Sequence, residues 1–335
     1  MAWYQVKGNQ LDTVFSSRVR LARNLCGFSF GEKLDEKSAN EVIARIEKAL
    51  EGKDYAKTDM SELPSLDARS MVEKHLISRE FAAKKTPHAL FSNQGKSISI
   101  MACEEDHIRV QCILPGLALD EAYRFAAECD ELLDEKLDIA FDERLGYLTH
   151  CPTNLGTGLR ASVMLFLPAL TAAGSIASLA RQLSKIGLTM RGIYGEGTDS
   201  RGCLYQVSNQ VTLGVTEEEI LHRLGNAVNS IVENEQRLRD HVKGESYDRL
   251  CDRIKRAEGT LRYATMISSE EFFSLFADVK LGISMGIVDS ITHEDLHTLL
   301  ISVMPATLTK SLVEAPKNDV ERDKARATLI KQAWR

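Results

Sequence analysis

No apolar run in this chain of 335 residues approaches the roughly 20 that a membrane-spanning helix needs. The opening stretch from Met1 to Gln10 lacks the basic and apolar regions of a secretory signal. The seven cysteines are odd in number, scattered and without a C-x-x-C pair, which argues against a disulfide framework or a cysteine zinc site and points to a reducing, cytoplasmic setting. No G-x-x-x-x-G-K-[ST] occurs, so a P-loop enzyme is excluded. Basic charge is not in excess: 42 Lys and Arg against 48 Asp and Glu leave a net charge of −6. That balance speaks against a general nucleic-acid binder, although a local basic cluster can still hold phosphates. Repeats and low-complexity segments are missing as well. What remains is the composition of a globular protein, 44% hydrophobic and 27% charged, long enough for a large core and for two domains.

The periodicity predicts mixed α and β structure. From Asp35 to Leu50, the residues Ala39, Val42, Ile43, Ile46, Ala49 and Leu50 share one helical face, and Gly52 can end the helix. Leu66 to Ile77, Asp120 to Leu137 and Leu170 to Ile186 read as further helices. His88 to Gln111 reads as strands, with Ile98, Ile100, Ile108 and Val110 alternating with polar residues. Tyr147 to His150 and Ser162 to Leu167 look like strands around a glycine-rich loop, and Leu188 to Tyr194 and Cys203 to Ser208 like strands joined by a glycine-rich turn. Thr216 to Glu219 is a capping box opening a long helix, and Ser268 with Glu271 is a second such signal. From Tyr247 onward only helical periods appear, which puts a domain boundary near Gly244: residues 1–243 and 244–335.

Five arginines, Arg18, Arg20, Arg109, Arg160 and Arg191, stand beside turn or strand signals. Arg18 and Arg20 are two apart and point to one side of an extended segment. Arg160 follows Asn154-Leu155-Gly156-Thr157-Gly158, whose glycines would let backbone N–H groups approach an anion. Taken singly, each arginine reads as a surface ion-pair partner; taken together, they suit a polyphosphate held without a Walker loop. Glu104-Glu105-Asp106 lies between two strands and Glu196 in the Gly195-Glu196-Gly197 turn, and carboxylates at strand ends can converge on a cation. Cys151 precedes Pro152 and the glycine loop, where nearby arginines would favour the thiolate; a small buried side chain is the other reading. His293-Glu294-x-x-His297 matches the zincin pattern, but Thr292 before it reads as an N-cap with Glu294 and Asp295 in the first turn, so a solvated helix start is the expectation and no metal site is assigned. Arg322 and Arg326 are i, i+4 neighbours that can grip one anion.

Together these segments resemble the ATP:guanidino phosphotransferase, or phosphagen kinase, family. The matching motifs are Ser16-Ser17-Arg18-Val19-Arg20-Leu21-Ala22-Arg23-Asn24, Glu104-Glu105-Asp106-His107-Ile108-Arg109, Cys151 through Val163, and Arg191-Gly192-Ile193-Tyr194-Gly195-Glu196, in the family's order. The chain looks most like the bacterial protein-arginine kinases: Tyr194 stands where classical members have arginine, Gly197 where they have histidine, and their N-terminal helical domain is absent. The resemblance implies an α+β fold, an antiparallel sheet flanked by helices and followed by a helical C-terminal domain for dimerisation and phosphoarginine binding. It implies ATP and Mg²⁺ as cofactors. Ser16, Ser17, Arg18, Val19, Arg20, His75, Arg109, Arg160, Ala161, Ser162, Val163, Met164 and Arg191 to Glu196 match nucleotide-binding positions. Glu105 and Glu196 match the carboxylates that hold the guanidinium, and Cys151 the active-site cysteine. Arg322, Asp323 and Arg326 match an allosteric phosphoarginine site. The implied partners are arginine-bearing proteins, stress-response regulators among them, a Clp-type protease, a small zinc-binding activator and a second copy of the chain, with neither nucleic acid nor membrane.

Overall fold

The computed structural model describes residues 2–93, 95, 98–193 and 200–334, the side chain of Arg201 apart. Its centre is an eight-stranded antiparallel sheet of order β2-β3-β4-β5-β1-β8-β10-β9. The strands are β1 (Val14–Arg23), β2 (Ala56–Asp59), β3 (Ala89–Ser92), β4 (Ile98–Ala102), β5 (Ile108–Pro115), β8 (Leu159–Phe166), β9 (Leu188–Gly192) and β10 (Leu204–Asn209). A small hairpin, β6 (Phe141–Asp142) and β7 (Gly146–Tyr147), lies outside the sheet.

One face carries Val19 and Leu21 of β1, Val110 and Cys112 of β5, and Ala161 and Val163 of β8. These residues bury the apolar sides of α1 (Glu36–Ala49), α4 (Leu119–Asp134), α6 (Ile176–Lys185) and α7 (Glu217–Asp240). The apolar face expected from Ala39 to Ala49 is the buried face of α1, and Asp35 caps it by accepting from the Ser38 amide at 2.9 Å. α7 opens with the expected box: Thr216 Oγ1 accepts from the Glu219 amide at 3.2 Å, and Glu219 accepts from the Thr216 amide at 2.9 Å.

The opposite face is divided. Phe15, Ile113, Met164, Phe166 and Leu204 point into a second core with Trp3 and the helical tail. The tail comprises α8 (Glu245–Tyr263), α9 (Ser269–Ser284), α10 (His293–Ser302), α11 (Pro305–Ser311) and α12 (Asp319–Gln332), with no strand among its described residues. Gly244, at φ 59°, separates α7 from α8. The tail therefore completes the sheet's packing. The other half of this face is polar and is left open.

Three predicted elements differ. The helix expected over Leu66 to Ile77 is α2 (Ser65–Glu73). The chain then turns through His75 at φ 59°, and Gln111 Nε2 donates to the His75 and Leu76 carbonyls, before α3 (Arg79–Ala83) starts on a Ser78 cap. The segment Leu170 to Ile186 breaks into α5 (Pro168–Ala172) and α6 at Gly174, whose φ of 65° ends the first helix. The strand at Tyr147 to His150 is only the Gly146–Tyr147 arm of the small hairpin. Ser268 caps α9 by accepting from the Glu271 amide at 3.1 Å.

The H-E-x-x-H segment opens α10 behind its Thr292 cap, as expected, but the start is not solvated: its histidines face inward, and His297 is buried. Lys280 of α9 is fully buried, donates to the Leu11 carbonyl at 2.6 Å, and has its Nζ 2.8 Å from His297 Nε2 and 3.4 Å from His293 Nδ1. His297 also stacks on Phe15 of β1, with ring centroids 4.0 Å apart. Among the described residues no group of three or more His, Cys, Asp or Glu gathers to hold a metal.

Burial, and then Arg239, pull the Lys280 ammonium down to about 7, while Asp12 and Glu294 oppose the shift. His293 and His297 are also pushed down, first by burial and then by Lys280, so they stay neutral at pH 7. Lysine's folded value lies below its unfolded one, so its contribution to stability is complete above the unfolded value of 10.5 and is lost as pH falls through about 7. A Lys280→Met variant should flatten the rise of unfolding free energy between those limits by up to about 1.4 kcal/mol per pH unit. Denaturant titrations of both proteins across that range check this.

Candidate active site

The open half of the outer face is built by strand alternation. Val19 and Leu21 point to the inner core, so Arg18 and Arg20 point outward. In register, Arg20 lies opposite Arg160 of β8 and Gln111 of β5, and Arg18 opposite Ser162. Arg109 pairs with Ala22, and Arg191 with Gln206 of β10. With Glu105, Cys151, Asn154 and Gly158, the five arginines line a cavity of about 410 Å³.

Two guanidiniums directly opposite each other on one sheet face repel. Burial and then its neighbours Arg109 and Arg160 pull Arg18 down to about 10. Arg20 is lowered by burial and then by Arg18, Arg109 and Arg160, and Arg160 by burial and then by Arg191. The compensation within the protein is partial. Arg18 Nη2 donates to Gln206 Oε1 at 2.9 Å, while Arg20 Nε is buried with no partner among the described residues. Such a surface is built for a polyanion. His75, pushed down to about 3 by burial and then by Arg18 and Arg79, is a neutral imidazole beside the same cluster.

The acidic turn between β4 and β5 sorts into three roles. Asp106 is buried and accepts from Asn24 Nδ2 at 2.7 Å and the His150 amide at 2.6 Å. Glu104 accepts from Ser78 Oγ at 2.7 Å and pairs with Arg109 Nη1 at 2.6 Å. Glu105 is held at one point, 2.9 Å from Arg109 Nη2, and its side chain is 38% exposed. It is the carboxylate of the three that is free to meet a cation. Cys151 is partly exposed in the same cavity wall, its Sγ 3.0 Å from Thr153 Oγ1.

Other matched positions contribute through their strands. Val19, Ala161 and Val163 lie in the inner core, Met164 in the outer one, and the Ser17 hydroxyl bridges the Gly116 carbonyl and the Ala118 amide. Ser16 is buried in β1, Ser162 Oγ lies 3.5 Å from Arg18 Nε, Gly192 ends β9, and the Ile193 amide just after it donates to the Leu204 carbonyl. Tyr194, Gly195 and Glu196 lie outside the described residues. The glycines of the loop before Arg160 answer to backbone crossings: a Cβ at Gly156 would strike the Thr212 carbonyl, and one at Gly158 the Arg23 guanidinium and the Ala22 carbonyl. Gln206 is the cavity residue that motif reading missed. Its signal was the alternation of Gln206 and Ser208 with Tyr205 and Val207 on one strand.

In the tail, Arg326 is completely buried, donates to the Ile267 carbonyl at 2.7 Å and the Val303 carbonyl at 3.2 Å, and pairs with Asp323. Arg322 pairs with Asp319 at 2.5 Å. Arg326 Nη2 and Arg322 Nε are both buried with no partner among the described residues.

A second cavity of about 650 Å³ adjoins the first and shares Glu105 and Arg109 with it. No helix among the described residues is long and apolar enough to cross a membrane.

Comparison with known proteins agrees with this geometry. Residues 36–238 match the ATP:guanido phosphotransferase C-terminal catalytic domain, and residues 247–335 match the Protein-arginine kinase McsB C-terminal domain. The chain is 43% identical over 95% of its length to a protein-arginine kinase of Caldanaerobacter subterraneus subsp. tengcongensis, covering 96% of that protein. It is 44% identical over 98% of its length to the one of Halothermothrix orenii, covering 95% of it. Among solved structures, the substrate-free duplicated taurocyamine kinase from Schistosoma mansoni superposes with a TM-score of 0.62 at 30% identity, over 75% of this chain and 39% of that one. Lombricine kinase gives 0.60 at 26% identity, over 71% and 69%. The antiparallel sheet, its arginine face and the helical tail thus identify the chain as a member of the ATP:guanido phosphotransferase family, with the C-terminal domain of its protein-arginine kinase branch.

Proposed function

We propose that this chain is a protein-arginine kinase, transferring the γ-phosphoryl group of ATP to arginine side chains of proteins. The observation that carries this reading is the position of Glu105, between an arginine-lined polyanion cavity and a second open cavity. Full-length similarity to curated protein-arginine kinases supports it.

The arginines hold the phosphates and offset charge on the leaving ADP. Mg²⁺, when bound, belongs on the phosphate oxygens of the nucleotide, which is where this ion usually binds. The acceptor guanidinium is protonated and a poor nucleophile until it loses a proton. Glu105 aims one of its nitrogens at the γ-phosphorus and takes the proton as the N–P bond forms and the bond to the ADP oxygen breaks. Cys151, in the wall of the same cavity, supports the cation, and Glu196 is proposed as the second clamp on the strength of its motif.

Residues 1–243 form the catalytic unit in this reading, and residues 244–335 the regulatory and dimerising unit. Exposed Tyr263, Met266, Val313 and Val320 on the tail support a homodimer. Arg322, Asp323 and Arg326 form the phosphoarginine site. Two guanidinium nitrogens without partners among the described residues, with the Asp323 carboxylate on one of those arginines, suit a ligand that carries both charges. Marking of proteins for a Clp-type protease, control of stress regulators and a small zinc-binding activator complete the proposal, as does a cytoplasmic location, which the seven free cysteines support.

In a mixture of free arginine and an unfolded arginine-rich protein with Mg-ATP, phosphate should appear on the protein, read by mass spectrometry at neutral pH or above. Glu105→Gln should keep nucleotide affinity and lose about two to four orders of magnitude in transfer; near-normal transfer removes Glu105 as the base. Arg322→Ala should lose phosphoarginine affinity at an unchanged melting temperature. Arg326→Ala should lose both, because two buried carbonyls give up their donor. Isothermal titration and thermal melts separate the two variants.

A further inference from the structure

The mechanism uses only the edge of the second cavity. It shares Glu105 and Arg109 with the first cavity but none of Arg18, Arg20, Arg160 and Arg191, so in the proposed reading it lies beyond Glu105 from most of the phosphate-holding arginines. Its volume of about 650 Å³ exceeds what a guanidinium needs. Its apolar lining is Leu34, Ala39 of α1, Ala83 of α3, Pro87 and Cys103. The cations in its wall do not turn it into an anion site: Arg109 is shared between Glu104 and Glu105. Lys84 Nζ is fastened to the Cys103 and Glu104 carbonyls at 2.5 and 2.7 Å, and burial lowers its ammonium. Glu32, Glu80 and Lys85 stand exposed at the rim with charges of both signs.

We infer that this groove seats the side chain next to the target arginine in the acceptor polypeptide, and that it takes an apolar residue of leucine size. This rests on the protein-arginine kinase reading. Continuity through Glu105 fixes the occupant: when a peptide arginine presents its guanidinium to Glu105, the groove lies beside it and is open to chain leading away from the phosphates. A leucine placed there leaves water for the Leu34, Ala83 and Pro87 surface, whereas an aspartate loses hydration and gains no fixed cation, Lys84 and Arg109 being already engaged.

The test measures kcat/KM with Mg-ATP for short peptides that differ only in the residue flanking one arginine: leucine, glycine or aspartate. The expected result is a preference of about tenfold or more for leucine over glycine, with aspartate lowest. In Ala83→Asp, at an exposed position, the preference should collapse while the glycine peptide keeps its wild-type rate, which also shows that the variant is folded. Leu34→Ser provides a second, independent loss. Equal rates for leucine and glycine peptides in the wild type, or a preference that survives both substitutions, overturns the groove. Transfer to none of the peptides, with phosphate found on free arginine, overturns the kinase reading on which the groove rests.

Discussion

Two arginines facing each other across a pair of hydrogen-bonded strands set the terms for the rest of this molecule. Arg20 and Arg160 are locked opposite one another by the register of β1 and β8, and the pleat that buries Val19 and Ala161 allows neither to turn away. A repulsive patch in the middle of a sheet needs stabilisation from elsewhere. The same strands supply it a few residues on, where Phe15, Met164 and Phe166 are buried by the tail. One face of one sheet thus has an electrostatically strained half, which binds, and an apolar half, which holds the fold together.

The carboxylates around this patch follow the same logic. Arg109 could have neutralised Glu105 outright. Instead its guanidinium is divided between Glu104, which is 5% exposed, and Glu105, which is 38% exposed. The buried partner fixes the arginine, and the exposed one stays available. Asp106, one residue on, accepts from Asn24 and from the His150 amide, which ties the acidic turn to the segment leading into Cys151. Three consecutive acids therefore serve as arginine anchor, open carboxylate and backbone brace.

Much of this was legible in the sequence, because strand alternation is a strict code. The spacing of Arg18 and Arg20 fixed their common side, and the apolar period of α1 fixed its buried face. Local patterns failed where a distant partner decides. Nothing near His75 announces that Gln111 will claim its carbonyl and end α2. The spacing of Arg322 and Arg326 gives two surface arginines on paper, yet Arg326 is the largest fully buried side chain, because Ile267 and Val303 carbonyls from elsewhere in the tail surround it. The two histidines of H-E-x-x-H likewise turn inward, toward a lysine that lies before them in the chain. The glycine loop carries a different lesson: its composition does not show that a Cβ at Gly156 would meet the Thr212 carbonyl and one at Gly158 the Ala22 carbonyl.

The apolar floor beyond Glu105 has a consequence for what the enzyme senses. In a folded protein an arginine commonly stands at the surface while its apolar sequence neighbour is packed inside, so the pair is seldom presented together. In a chain that has lost its packing both are exposed, in any order and on many segments. On the groove proposed above, a site that prefers the pair would measure the state of its target more than its identity. It would read damage with the same weak, general physics that had kept the damaged protein folded.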